Sequence, residues 1–155
     1  VSTTSSQKGS SKATMLVLDT SGLWAAIDAD QRHHEATKRA LLRDPGPYLL
    51  SPFVLAEIDY LLLTRQGIDR ECDLLRDVAA GAYELVTVTN EDVGRVLTVV
   101  EQYRDLAAEV TDASVALLAA RYQTTRVLTL DQRHFRPMKP LWGDTFTILP
   151  ADDKN

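Results

Sequence analysis

Alternation constrains this chain more than any other feature: short apolar runs recur between longer segments whose apolar residues keep helical spacing. The runs fall at residues 15–18, 49–50, 83–88, 126–130 and 146–149, each too short for a helix of ordinary length. Between them, residues 21–27, 34–42, 52–65, 70–80, 91–103 and 112–122 read as helices. Ser51 and Pro52 suit the cap and first turn of the third helix and Gly67 its stop, while Asp44-Pro45-Gly46-Pro47 closes the second. Such alternation predicts an α/β fold with a mostly parallel sheet covered on both faces. In sheets of that kind, ligands bind outside the carboxyl ends of the strands.

Four acids border these buried segments. Asp19 follows the first apolar run and Asp131 the fourth, Glu57 interrupts the leucine-rich third helix, and Asp112 opens the almost wholly apolar last helix. Asp19 and Asp131 therefore belong at the carboxyl edge of the sheet. Asp112 joins them if its helix runs from that edge to the opposite one. Each also has a purely structural reading. Asp19, ahead of Thr20-Ser21-Gly22, suits a helix cap; Asp112, or Thr111 beside it, suits an N-cap favoured by the helix dipole; Asp131 in Asp-Gln-Arg-His suits a turn. Glu57 borders the stripe formed by Val54, Leu55, Ile58, Leu61 and Leu62. Asp59 borders it on the other side by the same angular offset, so helical geometry does not choose between them.

Composition narrows the function classes. The 155 residues are 45% hydrophobic and 25% charged, enough for one globular domain with a core. Residues 1–14 are rich in Ser, Thr, Gly and Lys and stop before Met15, a natural start. They are expected to be a cloning remnant or a disordered arm, with one domain over 15–150 and a tail over 151–155. Without the arm, 15 basic residues face 22 acidic ones, an acidic balance for a nucleic-acid binder. No apolar run nears the roughly 20 residues that cross a bilayer, and no charged-then-apolar leader precedes the first strand, so a soluble, cytoplasmic protein is expected. Cys72 is the only cysteine, which excludes an intramolecular disulfide and a cysteine-rich zinc site.

Convergence of the four acids would call for a cation. Two carboxylates about 5 Å apart repel by roughly 3 kcal/mol at an effective dielectric near 20, and a cluster holds several such pairs. Their sum rivals a domain's whole stability of about 5–15 kcal/mol. Such a cluster takes up protons, finds a basic partner or binds a metal. Oxygen ligands without Cys or paired His select Mg2+, with Mn2+ as a substitute, over zinc. An ion of that kind activates water against a phosphodiester and neutralises phosphate charge.

The residues around these acids resemble a known family. Met-Leu-Val-Leu-Asp19-Thr-Ser, Leu55-Ala-Glu57-Ile, Thr111-Asp112-Ala-Ser-Val-Ala with Ala119 behind it, and Leu128-Thr-Leu-Asp131-Gln-Arg-His-Phe135 look like the PIN-domain ribonucleases, specifically the VapC-type toxins of bacterial type II toxin–antitoxin pairs. The likeness spans residues 15–149. Each motif is weak alone, and four in the right order are specific. The resemblance implies a three-layer α/β/α sandwich, a single PIN-like nuclease domain over 15–150, and a Mg2+-dependent endoribonuclease with Asp19, Glu57, Asp112 and Asp131 as its catalytic quartet. It selects Glu57 over Asp59. It also implies a VapB-type antitoxin that seats a segment beside the acidic cleft, a homodimer, and a structured RNA, transfer or ribosomal, as substrate. The third helix and the amphipathic segment after Asp69 are the candidate surfaces for these partners.

Within that frame Asp19 and Asp112 are the metal ligands, Glu57 a ligand through water or the base for the attacking water, and Asp131 a supporting or second-metal ligand. Glu109 adds charge to the site or is a solvated loop residue; Thr129 binds water or phosphate or is an ordinary strand threonine. Arg121, Arg126, Arg133, Arg136 and Lys139 stand against Asp131 alone between residues 121 and 140, a local +4 that offers RNA a basic rim, joined by His134, or is simply a solvated surface. His33 and His34 read as exposed, Trp24 and Trp142 as packing residues. Metal-independent cleavage through the 2′-hydroxyl would need a placed acid and base, and His33 and His34 are distant in pattern from His134. Two further alternatives are a catalytically inactive PIN-like domain and a receiver-like phosphoacceptor, for which Lys139, between prolines, is the one candidate lysine.

Overall fold

Leu16, Val17 and Leu18 are fully buried, as the central strand of a parallel sheet covered on both faces requires. The computed structural model describes residues 15–154, so the arm expected at 1–14 lies outside the described residues. In chain order, β1 (Leu16–Leu18) leads to α1 (Thr20–Ile27) and α2 (His34–Arg43), and β2 (Tyr48–Leu50) to α3 (Pro52–Gln66) and α4 (Ile68–Ala79). Next come β3 (Glu84–Leu85), α5 (Asn90–Gln102), a 3-10 turn at Arg104–Leu106, α6 (Val110–Arg121), β4 (Arg126–Leu128), α7 (Gln132–Phe135) and β5 (Thr147–Leu149).

The strands form one sheet in the order β3-β2-β1-β4-β5, and every pairing is parallel. Val17 pairs with Leu49 on one side and Val127 on the other, which fixes β1 at the centre. The chain steps outward to β3, then crosses back over β1 to β4. With right-handed crossovers, that reversal puts α5 and α6 on the face opposite the earlier helices. The crevice opened beside β1 at its carboxyl end is the ligand position of such sheets.

Local chemistry explains where the elements depart from the sequence expectations. β4 ends at Leu128 and not Leu130, because Ser21 Oγ takes the Leu130 N–H at 3.0 Å and Thr129 Oγ1 the Asp131 N–H at 2.9 Å. Asp131 therefore does not end a strand; its side chain caps the four-residue α7 in place of an ordinary turn. α6 starts at Val110, so Asp112 sits in its first turn and neither it nor Thr111 is the N-cap. β3 is two exposed residues at the sheet edge, where six were expected.

α6 is buried at every position from Thr111 to Ala119, and its small residues let neighbouring elements approach closely. Gly22 serves the same end on α1: a Cβ there would lie 2.3 Å from the Leu128 carbonyl oxygen of β4. Beyond β5, Asp152 accepts the Ile148 N–H at 2.8 Å and pairs with Arg136. No helix among the described residues is long and apolar enough to cross a membrane.

Candidate active site

One cleft of about 310 Å³ at the carboxyl edge of the sheet is lined by Asp19, Glu57, Glu109, Asp112, Asp131 and His134. Asp19 leaves β1 and is 4% exposed. It does not cap α1 with its side chain. Its Oδ2 accepts hydrogen bonds from Thr129 Oγ1 at 2.6 Å and Ser21 Oγ at 3.1 Å. Burial nevertheless lifts its pKa from 3.8 to about 6, with the charge of Asp112 adding to the rise and the hydroxyls working against it.

Glu57 sits in the second turn of α3, whose start is pinned by Ser51. That hydroxyl accepts the Phe53 N–H at 3.2 Å and meets the buried Ser114 hydroxyl of α6 at 2.8 Å. Glu57 accepts a hydrogen bond from Thr20 Oγ1 at 2.6 Å and another from Thr111 Oγ1, so α1 and α6 orient one carboxylate between them. Asp59 turns away toward α4, where its hydrogen bond pushes the Glu71 carboxyl up. Asp112 accepts the Glu109 N–H at 3.1 Å, and burial raises its pKa. Glu109 is exposed and lines the cleft mouth.

Asp131 accepts the His134 N–H at 3.1 Å and, through Oδ2, faces His134 Nδ1 at 2.5 Å. The other ring nitrogen of His134 faces the Leu106 carbonyl at 2.7 Å. The carbonyl calls for a proton on Nε2, one proton is shared between Nδ1 and the Asp131 carboxylate, and that hydrogen bond pushes the pKa of the ring up. Asp112 Oδ2 lies 3.7 Å from the same Nδ1. His134 is thus a strut inside the acidic cluster rather than part of an outer rim. Asp112, Asp131 and His134 could each offer a ligand atom within 4.8 Å of the other two. With both nitrogens of His134 engaged in hydrogen bonds, the carboxylates are the available ligands, a donor set that suits a hard divalent cation.

Several sequence expectations are corrected here. Thr129 is 1% exposed and bridges Asp19 to the Asp131 backbone, a positioning contact that an ordinary strand threonine does not make. The basic rim is dispersed. Arg121, at the far end of α6, binds the Thr87 carbonyl and buried Asp92; Arg126, at the amino end of β4, pairs with buried Asp44 at 2.6 Å; Arg136 pairs with Asp152. Arg133 and Lys139 remain exposed. His34 is buried against the Ala25 carbonyl at 2.7 Å, and Trp24 both packs on the core and lines the cleft. The residues missed by sequence reasoning are the hydroxyls Thr20, Ser21 and Thr111, whose signal was their place directly beside Asp19 and Asp112.

A PIN domain family model matches residues 16–139, and the chain belongs to the PIN domain family. A curated relative is Ribonuclease VapC26 of Mycobacterium tuberculosis (strain ATCC 25618 / H37Rv), 38% identical over 135 residues that cover 87% of this chain and 100% of that protein. Among solved structures, Mycobacterium tuberculosis VapC20, described as a sarcin-ricin loop cleaving toxin, matches with a TM-score of 0.69. The match covers 75% of this chain and 89% of that one at 19% identity, and it bears on the fold alone.

Proposed function

We propose that this chain is a VapC-type toxin, an endoribonuclease that hydrolyses phosphodiester bonds in structured RNA, transfer or ribosomal, and is restrained by a VapB-type antitoxin. The observation that carries the reading is the meeting of Asp19, Glu57, Asp112 and Asp131, from four separate segments, in one cleft. Asp19 and Asp112 would hold Mg2+, with Mn2+ able to substitute, and Asp131 would support them. When bound, the ion neutralises phosphate charge and makes water a better nucleophile at neutral pH.

The chain's own residues do the rest. Thr20 and Thr111 hold Glu57 in one orientation, from which a carboxylate oxygen takes the proton of the attacking water. As the new P–O bond forms, the bond to the leaving sugar oxygen breaks. His134 keeps Asp131 beside Asp112 by sharing a proton with the Asp131 carboxylate. Glu109, at the mouth, leaves the entrance acidic.

The partner surfaces lie on α3 and α4. An apolar groove of about 380 Å³ lined by Ala56, Tyr60 and Leu61 adjoins the cleft through Thr20 and Glu57, and suits an antitoxin segment. Tyr60, Leu63, Ile68 and Leu75 are exposed on the same two helices and suit a homodimer contact. Mapping cleavage sites on total cellular RNA, with the wild type, its Asp19→Asn form and a chelator, tests the reading. Discrete sites that vanish with either treatment are expected. Cleavage that survives chelation, or no cleavage of any RNA, overturns it.

A further inference from the structure

The charged side chains divide unevenly between ion pairs and open surface. Arg70, Arg76, Arg95, Arg121, Arg126 and Arg136 each lie within ion-pair distance of a carboxylate. Residues 31–43, in and just before α2, carry Arg32, Lys38, Arg39 and Arg43 against the single acid Glu35. All four are exposed, and among the described residues no carboxylate lies within ion-pair distance of any of them. In a chain with a net charge of −5, this stretch holds four cations against one acid, with no ion pair for those cations among the described residues.

Two of these cations line a groove. Arg39 and Arg43 stand one turn apart, about 6 Å along the helix axis, against Pro150, Ala151 and Asp153 in a space of about 330 Å³. Through Ala36, Pro150 and Ala151 this space continues into a second one of about 350 Å³, lined also by His33, Thr129, Leu130 and Gln132. The groove therefore ends on the back of the loop whose Thr129 hydroxyl holds Asp19 and whose Asp131 faces the cleft.

We infer that the groove along α2 carries the phosphodiester backbone of the RNA substrate, with Arg39 and Arg43 as its phosphate contacts. The inference rests on the ribonuclease reading above. An acidic cleft repels RNA, so the strand needs a cationic track that begins outside it. Guanidinium forks match phosphate oxygens, and spacing by one helical turn suits successive phosphates of an extended strand. Asp153 opposes the anion, which sets a second, opposite-signed test.

Binding of a labelled single-stranded RNA to the Asp19→Asn protein, followed by fluorescence anisotropy across a salt series, reads the groove without turnover. The double variant Arg39→Gln/Arg43→Gln is expected to weaken binding on the order of tenfold and to flatten the salt slope by about 1.4, two contacts at about 0.7 each for a single strand. Asp153→Asn is expected to tighten binding. Both substitutions sit on exposed positions, so thermal unfolding should be unchanged; in the active protein the double variant should raise KM and leave kcat. Unchanged affinity and slope, or a loss caused by Arg133→Gln/Lys139→Gln instead, overturns the groove while chelator-sensitive cleavage by the wild type leaves the ribonuclease reading standing. Absence of any RNA cleavage by the wild type would remove both.

Discussion

At pH 7, with no cation facing it, Asp19 is ionised against the preference of its surroundings. A rise from 3.8 to about 6 corresponds, at about 1.4 kcal/mol per unit, to about 3 kcal/mol. The stabilisation from its neutral form is complete below the unfolded value and is lost as pH rises through the folded one. Asp19→Asn is therefore expected to abolish cleavage while making the metal-free protein more stable at pH 7 by up to about 3 kcal/mol. Urea unfolding in chelator measures the difference; a destabilised variant would mean that the hydrogen bonds from Thr129 and Ser21 to the carboxylate outweigh the burial of its charge. Thr129→Val keeps the shape and removes the hydroxyl shared by Asp19 and the Asp131 backbone. Roughly a 10- to 100-fold loss of Mn2+ affinity is expected by calorimetry, the usual cost of an outer partner of a ligand.

At this scale the sequence was legible wherever an acid had to break an apolar pattern, as Asp19 and Glu57 do. It was illegible where a charge is satisfied by a residue remote in the chain. Nothing local to Arg126 or Arg121 points to Asp44 or Asp92, and so paired arginines read as a free rim. His34, between His33 and Glu35 on a charged helix, gave no sign that its ring bonds to Ala25 of α1.

Among the elements, α1 and β4 are the pair on which the cleft depends. Gly22 lets them touch, and Gly22→Ala forces them apart at the Leu128 carbonyl. A loss of about 1–3 kcal/mol is expected from overpacking, together with reduced cleavage, because Asp19 and Thr129 ride on the separated elements. Denaturant unfolding and initial rates check both. On the opposite side, Thr89 and Asp92 form a capping box at α5, and Arg121 fastens it to the end of α6. The Thr89 backbone amide first, and then Arg121, hold the Asp92 carboxyl below its ordinary range. A lowered folded pKa means stability present above the unfolded value and lost as pH falls through the folded one. Asp92→Asn should thus be less stable than the wild type at neutral pH, with the gap in Tm closing as pH falls below about 3.9. A gap independent of pH would show that the charge of Asp92 is not what holds α5.

Element order was readable because apolar runs buried on both faces and amphipathic helices have different periods. Boundaries failed where side chains intercept the backbone. Ser21 and Thr129 take the amides that would have continued β4, and Asp131 uses its carboxylate to start α7, a helix too short to leave a periodic signal.

The whole molecule is arranged around a conflict of charge. A parallel sheet brings four acids to one edge, a helix whose cations meet no carboxylate among the described residues lies on its flank, and Arg121, Arg126 and Arg136 tie loops and helix ends together. Partial relief comes from the hydrogen bond between His134 and Asp131, which still leaves the cleft acidic. The account turns on the remaining negative charge being answered by a divalent cation between β1 and α6. Anomalous diffraction at the manganese edge, from crystals of the wild type soaked in Mn2+, tests this directly. A peak within bonding distance of both the Asp19 and Asp112 carboxylates is expected, absent in Asp19→Asn; an empty cleft in the wild type, or those two carboxylates turned to different faces, would contradict it.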